Sequence, residues 1–251
     1  MSRDKRTWDD LGTNDPYYAV LAFDKFLHEN LDDRAVDEFF KTGRSHVERI
    51  WREIKDGFGI DLRPKRALDY GCGVGRNLIP LAERCETVYG VDISHGMLAE
   101  TAKNCDEHGI QNVHLQDAAE FWAAESEVYD FVHSFIVLQH IDPKIGNVLI
   151  RKMIERLEPG GVGVVHVTFF DPSTHFQKLR SRFYSNIPKA HQFLTAVRGK
   201  KGRLMPMYEY DLNYLFRILK ENGSETSFLR FSDHGWLGAL IFFRKTNLGT
   251  Y

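Results

Sequence analysis

The chain has 251 residues, a formal net charge of −2, and 43% hydrophobic and 13% aromatic content, enough for one large domain or one domain with a cap. That balance argues against wholesale binding to a polyanion, though not against a local patch. Cys72, Cys85 and Cys105 show no paired or metal-ligand spacing, which fits a reducing compartment. The charged stretch 1–10 lacks the apolar core of a secretory leader. The longest apolar run, Gly161 to Phe170, is too short to span a bilayer and is interrupted by His166. A cytoplasmic protein without a membrane span is therefore expected.

In chain order, residues 1–62 read as a helical N-terminal cap. Apolar residues recur at helical spacing through Tyr18–Phe23, Phe26 and Leu27, then through Phe39, Phe40, Val47, Ile50, Trp51 and Ile54. Thr42-Gly43 is expected to break the two blocks apart, and Asp15-Pro16 and Asp142-Pro143 each to start a helix, with Asp as N-cap and Pro in the first turn. From Arg66 the period changes. Strands are expected at 66–70, 87–91, 113–115, 131–134 and 162–170, with helices near 75–84, 94–107, 118–124 and 143–157 between them. Such alternation implies a parallel sheet wrapped by helices. Pro159-Gly160-Gly161 is expected to turn the chain into the fifth strand. The segment 171–206 fits no simple element. An amphipathic helix over 210–220 then precedes two strands, 226–231 and 237–243, which would add an antiparallel edge. The expected architecture is thus α/β: a Rossmann-like, seven-stranded, mostly parallel sheet in a domain over 63–251.

The most informative stretch is Ala67-Leu68-Asp69-Tyr70-Gly71-Cys72-Gly73-Val74-Gly75-Arg76-Asn77. An apolar strand ends in an acid and runs into three glycines at spacing two. Glycines permit a tight turn and the close approach of a ligand. The spacing is not that of the dinucleotide fingerprint, because Arg76 stands where the third glycine would allow helix–strand packing. The Gly-Lys-Ser/Thr of a P-loop is absent. Asp69 would repel a pyrophosphate and favour a cation. Asp92 ends the second strand 17 residues after Gly75, placed to accept from ribose hydroxyls. Asp117-Ala118 follows the third strand, where an acid can accept from an adenine amino group or cap a helix. S-adenosylmethionine, cationic and free of phosphate, suits this set.

These stretches resemble class I S-adenosylmethionine-dependent methyltransferases, in particular the small-molecule group related to the ubiquinone-biosynthesis enzymes. The matching segments are Leu68–Gly75, Val91–Leu98, Gln116-Asp117-Ala118, Tyr129–Ser134, Val137–Ile141 and Leu157–Gly161, in the family's order. The resemblance implies roles. Gly71, Cys72, Gly73 and Gly75 would pass under the methionine part, and Asp69 would lie near its amino group. Asp92 would hold the ribose, Ile93 and Met97 would flank the adenine, and Asp117 with Ala118 would meet its edge. The backbone at Ser134 and Phe135 would contact the amino group and open toward the acceptor. For Ile93 and Met97, plain core packing is the competing reading.

On the acceptor side, His140 is the candidate general base, with pocket lining as its alternative. Trp8, Tyr17 and Tyr18 are candidates to close over the site from the cap, with aromatic packing as theirs. Residues 171–203 carry eight basic residues against one acid, and this basic lid suggests that Lys200, Lys201 and Arg203 meet an anionic small-molecule acceptor, with a solvated surface loop as the alternative. The motifs of DNA-base methylation and an acidic cluster for a metal are both missing, so nucleic acid is not the expected partner and no metal is. Oxygen or nitrogen is the expected methylated atom, by in-line displacement. The competing functions are an NAD(P)-dependent oxidoreductase and a non-catalytic cofactor-binding protein. A monomer and a homodimer both remain open, with the helical arm as a dimer contact.

Overall fold

The computed structural model describes residues 3–124, 127–173 and 205–246. Its elements in order are α1 (Arg3–Asn14), α2 (Pro16–Val20), α3 (Asp33–Phe58), β1 (Arg66–Tyr70), α4 (Leu78–Ala82), β2 (Thr87–Asp92), α5 (His95–Glu107), β3 (Val113–Asp117), α6 (Ala118–Ala123), β4 (Tyr129–Ser134), α7 (Pro143–Glu155), β5 (Leu157–Phe170), α8 (Leu212–Glu221), β6 (Ser224–Asp233) and β7 (Leu237–Lys245). The seven strands form one sheet in the order β3-β2-β1-β4-β5-β7-β6. The β1–β2, β1–β4, β2–β3 and β4–β5 pairs are parallel, whereas β7 pairs antiparallel with both β5 and β6. The order reverses at β1/β4, the switch point where open α/β sheets bind ligands.

Side chains alternate across each strand, so the sheet buries two faces. Leu68, Tyr70, Val132, Val165 and Val167 meet α7 and α8 on one face. Ala67, Phe131, Val162, Val164 and Phe242 meet α3 and α4 on the other. Among the described residues no helix is long and apolar enough to cross a membrane.

Three local expectations change. First, α3 runs unbroken through Thr42-Gly43 for 26 residues. Gly43 is there for proximity, since a Cβ on it would lie 1.9 Å from the Arg76 carbonyl oxygen. Second, β5 begins at Leu157, ahead of Pro159-Gly160-Gly161, and absorbs them with an irregular register against β4. Third, Asp15 precedes α2 but does not cap it; its carboxylate takes the His28 N–H at 3.0 Å instead. α3 is not peripheral, because Val47, Ile50 and Ile54 are fully buried in the same cluster as β1 and α4. Each such side chain contributes roughly 1.5–3 kcal/mol relative to exposure. The basic segment, with Lys200, Lys201 and Arg203, lies outside the described residues.

Candidate cofactor site

A cavity of about 440 Å³ opens at the C-terminal ends of β1, β2, β3 and β4, within the size range of small-molecule sites. The glycine loop forms its floor. Gly71 and Gly73 have φ of +78° and +56°, where a Cβ is strained. Substituents there would also strike Val137, at 2.2 Å, and Val20, at 2.8 Å. Asp92 ties the loop to β2, its two oxygens accepting from the N–H groups of Gly73 and Ser94, each at 2.9 Å. Burial nevertheless pushes its pKa up to about 6.

Asp117 stands opposite Asp92 in the β2–β3 register. One oxygen caps α6 through the Ala119 N–H at 2.8 Å, and the other takes the Lys5 ammonium at 3.1 Å. Burial works against the charged form, but Ala119 and Lys5 outweigh it and hold Asp117 below the usual carboxylate range. Lys5 also reaches the Ile93 carbonyl, at 2.8 Å. Ile93, Met97 and Ala118 complete an apolar slot between the two acids.

The other wall is the segment after β4. Ile136 has φ of +62°, a strained position for a β-branched residue, at a cost of about 1–3 kcal/mol. That turn brings Phe135, Ile136, Val137 and His140 to the cavity.

Of the residues expected at the site, the structure thus brings Gly71, Cys72, Gly73, Asp92, Ile93, Met97, Asp117, Ala118, Phe135 and His140 to one cavity wall. Asp69, Gly75 and Ser134 stand behind it. Asp69 is 2% exposed; one oxygen bonds His133 Nδ1 at 2.7 Å and the other has no partner.

Tyr17 and Tyr18 do not reach the wall. Tyr17 is buried against Phe39, and its hydroxyl lies 2.8 Å from Asn104 Oδ1 and 3.2 Å from Glu100 Oε1. Tyr18 packs with the same cap cluster. Their neighbours Ala19 and Val20 line the cavity instead, together with Lys5 and Trp8 from α1.

His140 has both ring nitrogens engaged. Nδ1 donates to the Pro206 carbonyl at 2.7 Å, which leaves Nε2 to accept from the Gln139 amide at 3.1 Å. Burial also holds its pKa below the ordinary histidine value. A base at this position would first have to shed Gln139.

Arg76 is a further cavity residue that sequence reasoning missed. It is 4% exposed, with Nε unpartnered. Nη1 donates to Thr42 Oγ1 at 3.3 Å, and the guanidinium carbon lies 5.8 Å from the Phe135 ring centre. Burial lowers its pKa to about 10, and the Asp69 charge pulls the other way. Its signal in the sequence was its rank as the one cation inside the glycine loop, read there only as a bulky residue in a glycine's place. Buried polar atoms without partners call for a cause. Two of them, Asp69 Oδ2 and Arg76 Nε, belong to oppositely charged side chains that interact at the end of β1. That pairing fits the amino-acid end of S-adenosylmethionine, which brings both an ammonium and a carboxylate.

A methyltransferase-domain family model matches residues 67–161. The ubiquinone biosynthesis O-methyltransferase of Azorhizobium caulinodans is 33% identical over 114 residues, covering 43% of this chain and 44% of that protein. The aklanonic acid methyltransferase of a Streptomyces species is 43% identical over 92 residues, covering 33% and 42%. The chain thus spans about half the length of the curated relatives it matches. Among solved structures, the magnesium protoporphyrin IX methyltransferase of Synechocystis with bound S-adenosylhomocysteine superposes with a TM-score of 0.62 at 19% identity, covering 97% of this chain and 100% of that one. The N-methyltransferase NodS of Bradyrhizobium japonicum gives 0.60 at 13% identity, covering 98% and 100%. Both show the same fold. Residues 67–161 thus match a methyltransferase domain, and the sheet order is that of the fold these structures share.

Proposed function

We propose that this protein binds S-adenosylmethionine in the cavity and transfers its methyl group to the oxygen or nitrogen of a small or medium-sized acceptor. The observation that carries the reading is the pairing of opposite needs in one cavity. Asp92 and Asp117 face it from adjacent strands at the β2–β3 end, and Arg76 lines it at the β1 end. When bound, the cofactor supplies an electrophilic methyl group on a sulfonium, a centre with a good leaving group.

The chain supplies placement and exclusion of water. Asp92 would accept from the ribose hydroxyls, its carboxylate already fixed by two backbone N–H groups. Ile93 and Met97 would sandwich the adenine, and Asp117 would take its amino group. Arg76 would meet the α-carboxylate, and Asp69, behind it, the charge of the ammonium. Trp8, Val20 and Phe135 would keep water from the methyl-bearing face. His140, engaged with Pro206 and Gln139, holds the chain that returns at residue 206 against the site. We assign it that role in place of a general base.

The relatives named for O-methylation and N-methylation support a small-molecule acceptor. The test is incubation with methyl-labelled S-adenosylmethionine and a cell metabolite extract, followed by mass spectrometry of labelled products. A labelled metabolite, together with thermal stabilisation by S-adenosylhomocysteine and none by NAD(P), is the expected result. Stabilisation by NAD(P) alone would overturn the reading.

A further inference from the structure

Behind the cavity wall a chain of polar groups leads away from Asp69, and the cofactor contacts proposed above use only that first member. Asp69 and His133 are direct cross-strand neighbours in the β1–β4 register, and His133 Nδ1 is 2.7 Å from Asp69 Oδ1. His133 Nε2 is 3.2 Å from His46 Nε2 on α3, and His46 Nδ1 is 3.4 Å from Arg49 Nη2. His133 is fully buried and His46 nearly so.

The direction of the chain follows from donor chemistry. A guanidinium only donates, so His46 Nδ1 accepts from Arg49 and the His46 proton sits on Nε2. That proton points at His133 Nε2, which must accept. His133 therefore carries its one proton on Nδ1 and donates it to Asp69. Burial, and then the neighbouring His133, hold the His46 pKa well below the ordinary value, in keeping with a neutral ring.

α3 presses this chain against the glycine loop. Positions 42, 43, 46 and 49 share one helix face. Thr42 spends its own proton on the Phe39 carbonyl, at 2.6 Å, and so receives Arg76 Nη1 on a lone pair, at 3.3 Å. Gly43 lets the helix backbone close on the Arg76 carbonyl.

We infer that His133 and His46 are positioning residues: through a one-way hydrogen-bond chain from α3 they hold Asp69 as an oriented carboxylate beside Arg76, so that the pair reads the zwitterionic amino-acid end of the cofactor. In this arrangement His133 spends its Nδ1 proton on Asp69 and its Nε2 lone pair on His46. The inference rests on the cofactor reading above and adds to it a second layer that sets specificity for one end of the molecule.

Isothermal calorimetry with two probes tests it. S-adenosylhomocysteine has the amino-acid end; 5′-methylthioadenosine shares the adenine, ribose and thioether and lacks it. For His133→Leu we expect S-adenosylhomocysteine to bind about ten-fold more weakly, the scale of one charge-assisted hydrogen bond, and methylthioadenosine to bind within two-fold of the parent. His133→Asn, which restores a donor toward Asp69, should recover most of the loss. Should His133→Leu fail to fold, His46→Leu carries the same selective prediction at about three-fold, because it leaves the Asp69–His133 bond in place. Equal weakening of both probes, or no change in either, would overturn the inference. A parent protein that binds methylthioadenosine and S-adenosylhomocysteine equally well would also overturn it while leaving the adenosine site intact. A parent that binds neither overturns the cofactor reading itself.

Discussion

Two helices of the N-terminal arm reach the region of the site, α3 at the glycine loop and α1 at the cavity, and they do so by different physics. α3 buries Ala35, Phe39, Gly43, His46, Val47, Ile50 and Ile54, spaced so that one face runs along the sheet. α1 has Leu11 as its one buried apolar residue among those described. It is held by Lys5 on Asp117 and Ile93, by Trp8 against the His140 ring at 5.3 Å, and by a close crossing of Gly12 over Gly96. The first helix is core that happens to reach a site. The second is site wall with little core of its own. Changes in α3 should therefore register as folding, and changes in α1 as ligand affinity.

The sharpest test of that division is Gly43→Val. The new side chain meets a backbone carbonyl that cannot step aside, so we expect a loss of about 3 kcal/mol and a fall in Tm of roughly 6–12 °C by thermal scanning. Removing residues 1–14 should instead leave a cooperatively folded protein with Tm lowered by only a few degrees. Its affinity for S-adenosylhomocysteine should fall about ten-fold, because Trp8 no longer closes the cavity. An equal Tm loss in both variants would erase the distinction.

Asp92 sits between these two regions and titrates. Its carboxylate, with a pKa near 6, loses its charge as pH falls through that value, and with it the charge assistance to any bound hydroxyl. Affinity for S-adenosylhomocysteine should be flat above pH 7 and weaker by roughly five-fold at pH 5. His46 and His140, whose pKa values burial depresses, stay neutral across the upper part of this window. Calorimetry across the range checks the profile, and the slope should vanish in Asp92→Ala.

The smallest effect is expected at Lys5. Its ammonium holds the same Asp117 oxygen that an adenine amino group would use. A partly exposed pair of this kind is worth under about 1 kcal/mol. Lys5→Ala should thus tighten S-adenosylhomocysteine by about two-fold, opposite in sign to removing the whole helix. Weaker binding would show that Lys5 clamps the ligand and does not compete with it.

Much of the fold was legible because its signals are local. β1 spans 66–70 as expected, and the helices near 95–107, 118–123 and 143–155 fall where caps and periodicity place them. Asp117 and Asp142 cap their helices through Ala119 and Lys144, in keeping with the strand-end and Asp-Pro signals. Three features were not legible. Gly43 read as a breaker, since a sequence window does not distinguish a glycine that ends a helix from one that lets another chain segment come close. Arg76 read as an obstacle to a dinucleotide loop, since its burial and its partners Thr42 and Asp69 come from other elements. The strained turn at Ile136 has no local marker, because its φ is imposed by the wall it completes.

The chain's own order of residues therefore determined the alternating strands and helices, the glycine loop and the acids at the ends of β1, β2 and β3, because each depends on neighbours within a few positions. Only the tertiary structure decided which parts of the helical arm face the cavity. It chose Lys5, Trp8, Ala19 and Val20, turned Tyr17 toward Asn104, and set His46 against His133. The physical reason is that a helix is oriented by which of its faces buries best against the sheet. That choice is made by residues such as Val47, Ile50 and Ile54 and the surface they meet, tens of positions away in sequence.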